Sequence, residues 1–440
     1  MSRVVGLLGV VVLARLGFAQ TNDEGLANLQ FNYLNPGARS LAMGGAFTGM
    51  ADDATTALAN PAGLVNLLNA EASVELASTR IENEIAWAGG SVRYDEKPSG
   101  RYNYVYNYEP ASFPSTVTNV SFASFVYPFH PARLVVAAFY NEQSKFERAF
   151  STRGFVNEST SALAFLPATS ELRMSVQEAG LSAGLRAGDR LKLGGTLTYS
   201  RLHIRSLTEH FGNPKFTQTL TADTGRAAFR LGALINLQER VSLGLTYARR
   251  PEYGAVSTYT EGGRLYGPEQ QRFKTPDSFA VGVSFRPDPA FAFNVDVVRL
   301  FYSQLMEGYY WAYYKRGAHL PESTTKFKTT FEVEDRTELR FGTEYLRQIR
   351  GLPVAVRGGI WREPHHGMVR ITEDASISLD FADEKYDTSP FFSPRLKKDS
   401  THVAFGAGVV FARLAVDAAF DYSRSYSRFV LSSVIYLSAR

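Results

Sequence analysis

The chain contains no cysteine among its 440 residues. That excludes disulfides, thiolate metal sites and cysteine nucleophiles. It also excludes a lipoprotein anchor, because lipid attachment at a cleaved signal needs a cysteine. No apolar run reaches the roughly 20 residues that a membrane-spanning helix requires. Residues 4 to 13 are apolar but are followed by Arg15, and residues 403 to 412 carry Gly406 and Gly408 and read as a strand. A one-signed charge is missing too. The 47 Lys and Arg are interspersed with 43 Asp and Glu, which is no footprint for nucleic acid.

Catalytic signatures are equally scarce. There is no GxSxG elbow, phosphate loop or zinc-protease motif. Seven histidines occur, at 130, 203, 210, 319, 365, 366 and 402, and most fall at loops or turns. His365 and His366 follow Glu363, yet no second ligand cluster lies near them, so they read as solvated rather than metal-binding. No enzyme, cofactor or metal is expected.

What is present points to export and to strands. Arg3 precedes the apolar run, and Gly17-Phe18-Ala19 has the small-x-small form of a cleavage site, so residues 1 to 19 read as a signal peptide. Its removal takes Arg3 and Arg15 and leaves 45 basic against 43 acidic residues. Aromatics make up 13% of the chain, with 23 Tyr and 31 Phe beside 36 Gly, a composition suited to strands with one wet and one apolar face.

From about residue 117 onward, apolar residues recur at alternate positions over nine to thirteen residues, the period of a two-faced strand. Phe279, Val281, Val283 and Phe285 alternate with Ala280, Gly282 and Ser284. Leu191, Leu193, Leu197 and Tyr199 repeat the pattern, as do Leu414, Val416, Ala418, Phe420 and Tyr422. Connectors alternate in length. Short ones fall at 128–132, 188–190, 238–240, 286–290, 348–352 and 411–413; long ones fall near 146–175, 206–225, 250–275, 301–330 and 364–400. A soluble sandwich gains nothing from that asymmetry, whereas outer-membrane barrels have short periplasmic turns and long outer loops.

The fold class expected is therefore all-β, a transmembrane antiparallel β-barrel of about fourteen strands over residues 70–440, in an outer membrane of the Gram-negative type and in contact with its lipid. Ten residues at about 3.3 Å rise, tilted near 45°, cover roughly 24 Å, the height of the apolar band required. Residues 81 to 116 allow either an extra hairpin or prolonged flanking strands.

Residues 20–69 are different. Asn35-Pro36-Gly37 is a turn, Gly44-Gly45 a break, and Asp52-Asp53 caps a short helical stretch ended by Asn60-Pro61. Rich in Ala and Gly, the segment suits a plug inside the barrel. The stretch GARSLAMGGAFTGMADDATTALANPAGL, from Gly37 to Leu64 with Asn60, Pro61 and Ala62 at its core, resembles the N-terminal signature of the FadL/TodX hydrophobic-compound transporters and their PorV-like relatives. The resemblance implies a fourteen-stranded barrel with an N-terminal hatch in its lumen. It also implies passive uptake of a hydrophobic small molecule, long-chain fatty-acid-like or aromatic, with hatch movement opening the path. The GARSLAMGG opening is closer to the PorV-like branch, which implies as the alternative a factor that binds or shuttles a secreted protein. The chain ends Tyr436-Leu437-Ser438-Ala439-Arg440, without the terminal aromatic residue such barrels use with the barrel-assembly machinery.

Two sets of residues are site candidates. Phe301, Tyr302, Tyr309, Tyr310, Trp311, Tyr313 and Tyr314 suit a hydrophobic capture patch, or else an interfacial aromatic girdle. Strand parity turns Arg186, Arg230, Asp296, Glu338, Arg340, Glu344, Arg357, Asp417 and Asp421 toward the lumen. Their mixed signs favour mutual pairing over a selective ion channel. Gly194, Gly282 and Gly358 fall within strands, where glycine marks a kink, a gap or a close approach.

Overall fold

The computed structural model describes residues 33–96, 102–212, 215–305, 329–366, 369–372 and 399–437. The expected signal peptide lies outside these, as do Tyr309, Tyr310, Trp311, Tyr313 and Tyr314. Fourteen antiparallel strands form the barrel. They are β1 (Glu71–Ile85), β2 (Ala111–His130), β3 (Leu134–Thr152), β4 (Ala168–Arg186), β5 (Leu191–His210), β6 (Phe216–Gln238) and β7 (Val241–Arg249). Then come β8 (Ser278–Asp288), β9 (Phe291–Leu300), β10 (Arg336–Ile349), β11 (Leu352–Glu363), β12 (Ser400–Phe411), β13 (Leu414–Tyr422) and β14 (Tyr426–Tyr436). Each pairs with its neighbour in sequence, and β14 returns to β1 with Leu76 opposite Leu431, so no edge is left open. Closure satisfies backbone N–H and C=O groups where lipid offers no partner.

The outer surface shows why the alternation exists. On β5, Leu197 is 66% and Tyr199 61% exposed, while the alternate residues Thr196 and Thr198 are buried. Large apolar side chains on an outward face make sense only against hydrocarbon, and the closed, belted barrel places the chain in an outer membrane. Higher on the same strand the phase reverses. Leu202 and Ile204 point inward and are fully buried, whereas Arg201, His203 and Arg205 are outside. Above the membrane the apolar side belongs in the lumen.

This reversal corrects the expectation of long loops at 146–175, 206–225 and 250–275. β3 continues to Thr152 and β4 begins at Ala168; β5 and β6 are joined across residues 211–215. Residues Glu252–Glu261 and Arg264–Lys274 form a hairpin paired to the upper part of β6. These segments read as loops because their outer face turns polar outside the bilayer, which removes the single-phase signal. In the 81–116 region, β1 extends to Ile85, and Gly90–Glu96 pairs with Tyr102–Tyr108 in a hairpin outside the barrel. That hairpin joins Phe155–Asn157 and Leu163–Phe165 in a small extracellular sheet.

Position within the belt sets the penalty for an outward charge. Leu197→Arg should destabilise the barrel in lipid by about 2–4 kcal/mol, whereas Leu207→Arg, above the belt, should cost little. Refolding titrations into bilayers compare the two directly.

Candidate functional site

Inside the periplasmic half of the barrel lies the chain from Tyr33 to Asn69. Helix α1 (Ala38–Ala42) ends at Gly44 and Gly45, both at positive φ (62° and 76°), a conformation glycine adopts freely. Helix α2 (Thr56–Ala59) follows Asp53, whose carboxylate accepts the Thr55 N–H at 2.9 Å. A 3-10 turn (Pro61–Asn66) then starts with Pro61. Side chains of Ala42, Met43, Phe47, Ala57 and Leu64 are all buried against the wall.

The wall is shaped to receive it. Gly184, Gly194 and Gly232 sit in register across β4, β5 and β6; Gly244 faces Gly282 across β7 and β8; Gly342 faces Gly359 across β10 and β11. A Cβ built at any of these would fall within 3.0 Å of the segment: against Pro61 from Gly184 and Gly194, Asn60 from Gly232, Thr48 from Gly244, Gly49 from Gly282, Met43 from Gly342 and Gly44 from Gly359. Gly406 of β12 would meet the Ala42 Cβ at 2.7 Å. Of the glycines singled out in the sequence, Gly194 and Gly282 thus mark close approach, while Gly358 has nothing near it.

Polar anchors fix the segment's orientation. Asp296, buried on β9, accepts the N–H groups of Phe47 and Thr48, each at 2.9 Å. Asn60, wholly buried, donates to the carbonyls of Thr48 (2.9 Å) and Ala233 (3.2 Å), and its Oδ1 accepts from Ala62 N–H. Ser182 donates to the Ala57 carbonyl at 2.6 Å, and Glu75 of β1 accepts the Gly37 N–H at 2.5 Å. The Asn60-Pro61-Ala62 core is therefore a fastening point.

A chain of alternating charges completes the join. Arg39 reaches Glu344 through two bonds of 2.8 Å and Asp52 at 2.7 Å; Arg357 bridges Glu344 and Asp417 at 2.6 Å each; Arg286 meets Asp52 at 2.5 Å. Burial opposes the Arg39 charge, but Asp52 and Glu344 outweigh it and hold its pKa well above the ordinary arginine value.

Above the segment the lumen contains two cavities of about 50 Å³ each. One is polar, with Arg230, Arg250, Glu178 and Asn141 in its wall. The other runs from Trp361, His402 and Tyr426 across to Ile81, Val117 and Phe146. Over them is an apolar vault that includes Trp87, Phe146, Phe150, Tyr253 and Tyr302. Beside the second cavity the wall itself changes. β2 and β3 are paired only from Phe122 and Asn141 downward, with register shifts near Ser121 and Gln143. Above that level side chains bridge the seam: Asn119 donates to Glu142, and Phe113 lies 6.3 Å from Phe150.

Most lumen charges inferred from parity are inside and paired, Arg340 with Glu338 at 2.5 Å among them. Arg230 is in the cavity wall and donates to the Ala59 carbonyl at 3.5 Å. Arg186 departs from the expectation: β4 ends there, so it is exposed at the periplasmic rim and donates to the Ala132 carbonyl. Tyr302 is buried, stacked 4.4 Å from His366 and edge-on to Tyr33, while Phe301 is partly exposed. One cluster escaped the sequence reading. His402 lies between Asp421 (3.0 Å) and Glu363 (3.4 Å) and stacks on Trp361, which also donates to Asp421. Outward Thr401 and Val403 were the signal that His402 points inward.

No family model matches the sequence, and no curated protein matches it. Solved structures share the fold. A FadL homologue of Pseudomonas aeruginosa superposes with a TM-score of 0.65 at 12% identity, covering 93% of this chain and all of that one. The toluene transporters TbuX of Ralstonia pickettii and TodX of Pseudomonas putida each give 0.54 at 15% identity, over 92% of this chain and 100% and 98% of theirs.

Because the chain lacks cysteine, single reporters are clean. Gly244→Val should cost about 1–3 kcal/mol by overpacking and push the segment from the wall while the barrel still forms. Thiol labelling of a Thr48→Cys reporter should then accelerate at least tenfold relative to the reporter alone.

Proposed function

We propose that the protein is an outer-membrane channel for passive uptake of hydrophobic small molecules, fatty-acid-like or aromatic, with residues 20–69 acting as a lumenal hatch. The observation that carries this reading is the continuous sequence of an apolar vault, a cavity and a closed floor in one barrel. An apolar molecule gains free energy by leaving water for the apolar side of the second cavity, lined by Ile81, Val117 and Phe146, with the packed cluster of Trp87, Phe150 and Tyr302 over it. Below, the Arg39 network and the glycine contacts block direct descent. Paired lumen charges give ions no one-signed path. The names of the structures sharing this fold, a FadL homologue and two toluene transporters, support the same reading.

Two exits are compatible with this arrangement. The hatch can leave the wall, opening the periplasmic side, or the molecule can pass sideways through the seam where β2 and β3 are unpaired. The hatch route is the primary proposal. Phe301, together with the aromatic run from Tyr309 to Tyr314, is proposed as the outer capture surface, and buried Tyr302 as part of the apolar interior that receives the captured molecule. The alternative of a factor for secreted proteins rests on the resemblance of the Gly37–Gly45 stretch alone.

A reversible lock separates the routes. Ala38→Cys with Ser432→Cys places two thiols where the Ser432 Oγ already lies 3.3 Å from the Ala38 N–H, so that a disulfide tethers the hatch to β14. Proteoliposome uptake of toluene or a long-chain fatty acid should fall about tenfold on oxidation and recover with reductant. Undiminished uptake in the oxidised protein would reject the hatch route and leave the seam. No uptake by the unmodified protein would reject the channel reading itself.

A further inference from the structure

Outside the lumen, one part of the barrel carries charge in an unfavourable arrangement. On β5 the lipid-facing belt ends at Tyr199, and the next three outward residues, before Leu207, are Arg201, His203 and Arg205. On β4, Arg173 is exposed between buried Leu172 and Met174. The register sets Arg173 directly opposite Arg205 on the same outer face. Opposed residues in an antiparallel pair have Cβ atoms about 4.5–5.5 Å apart, and like charges there destabilise the sheet.

Neighbouring carboxylates do not resolve the conflict. Asp223 is held by Arg201 through bonds of 2.7 and 2.9 Å, and Glu209 by Lys215 at 2.8 Å. Glu147 stands opposite Arg173 on β3 and Glu171 lies one outward position above it. Among the described residues, neither forms an ion pair with Arg173 or Arg205.

The position of the row says what would complete it. Immediately below is the lipid-facing belt of Leu197 and Tyr199, so the row faces the outer head-group layer. Arg201 is already held by Asp223, so the cations left for a ligand are Arg173 and Arg205, which stand side by side at one level and suit a phosphate monoester, whose two negative charges a phosphodiester lacks. Guanidinium forks bind phosphate oxygens in pairs, and one dianion between two arginines converts their repulsion into attraction.

The geometry points to a binding site for the phosphorylated glycolipid of the outer leaflet, with its phosphates on Arg173 and Arg205 and its acyl chains along the belt below. The site depends on the outer-membrane placement of the barrel and is independent of what the lumen carries.

The test uses the full chain in detergent, with bisphosphorylated lipid A as the probe and native mass spectrometry and thermal shift as readouts. The unmodified protein should retain lipid A and melt at a higher temperature with it. Arg173→Gln combined with Arg205→Gln should weaken retention at least tenfold. Phosphatidylglycerol and inorganic phosphate should neither displace lipid A nor raise the melting temperature. Arg205→Glu serves as the folding control. It places opposite charges across the pair, with Thr221 rather than a carboxylate on its other side, so the barrel should form and resist heat in lipid-free detergent at least as well as the parent, yet lose the response to lipid A. Equal retention by the parent and either variant would overturn the proposal. So would no retention by the parent, or an equal response to inorganic phosphate.

Discussion

Backbone against backbone is the contact on which the rest of this molecule depends. From Met43 to Pro61 the N-terminal segment lies so near the barrel wall that seven strands present glycine where it touches, because a Cβ would occupy the same space. Such close approach brings main-chain amides within reach of wall side chains, and Asp296, Ser182 and Ser242 use that reach to hold Thr48, Ala57 and Gly49. Buried polar groups of this kind are costly unless satisfied. The segment and the wall are therefore complementary only in one register, and the closed floor of the lumen follows from it.

Charge is distributed by the same logic. Arg39, Glu344, Arg357 and Asp417 alternate in sign from the N-terminal segment into the wall, so each partly buried ion has an opposite neighbour. Removing one partner from such a chain is expensive because it strands the others. Higher in the lumen, polar walls give way to the aromatic vault, and on the outer surface the order is inverted, with apolar residues low and arginines high. One strand such as β5 serves four environments with a single alternating sequence.

Much of this was legible in the residues alone. The fourteen strands follow from the alternation of Phe279 to Phe285 and its counterparts, together with short turns such as 239–240 and 412–413. A bilayer forces that pattern. The strand extensions above the membrane were not legible, because the apolar phase moves from Leu197 and Tyr199 outside to Leu202 and Ile204 inside. The glycines could be noticed individually, but their common role appears only when register aligns Gly184, Gly194 and Gly232. The His402 cluster was hidden for the same reason, since His402, Asp421 and Glu363 come from three strands and meet only in the lumen.

Hydrogen exchange resolved by residue, on the full-length protein in a lipid bilayer, bears most directly on the central contact. If the segment is seated against the glycines, the amides of Phe47, Thr48 and Ala62 should be protected to a degree comparable with the strands that surround them. Exchange of those three amides within seconds, while β8 and β9 remain protected, would contradict the account and leave the lumen without its floor.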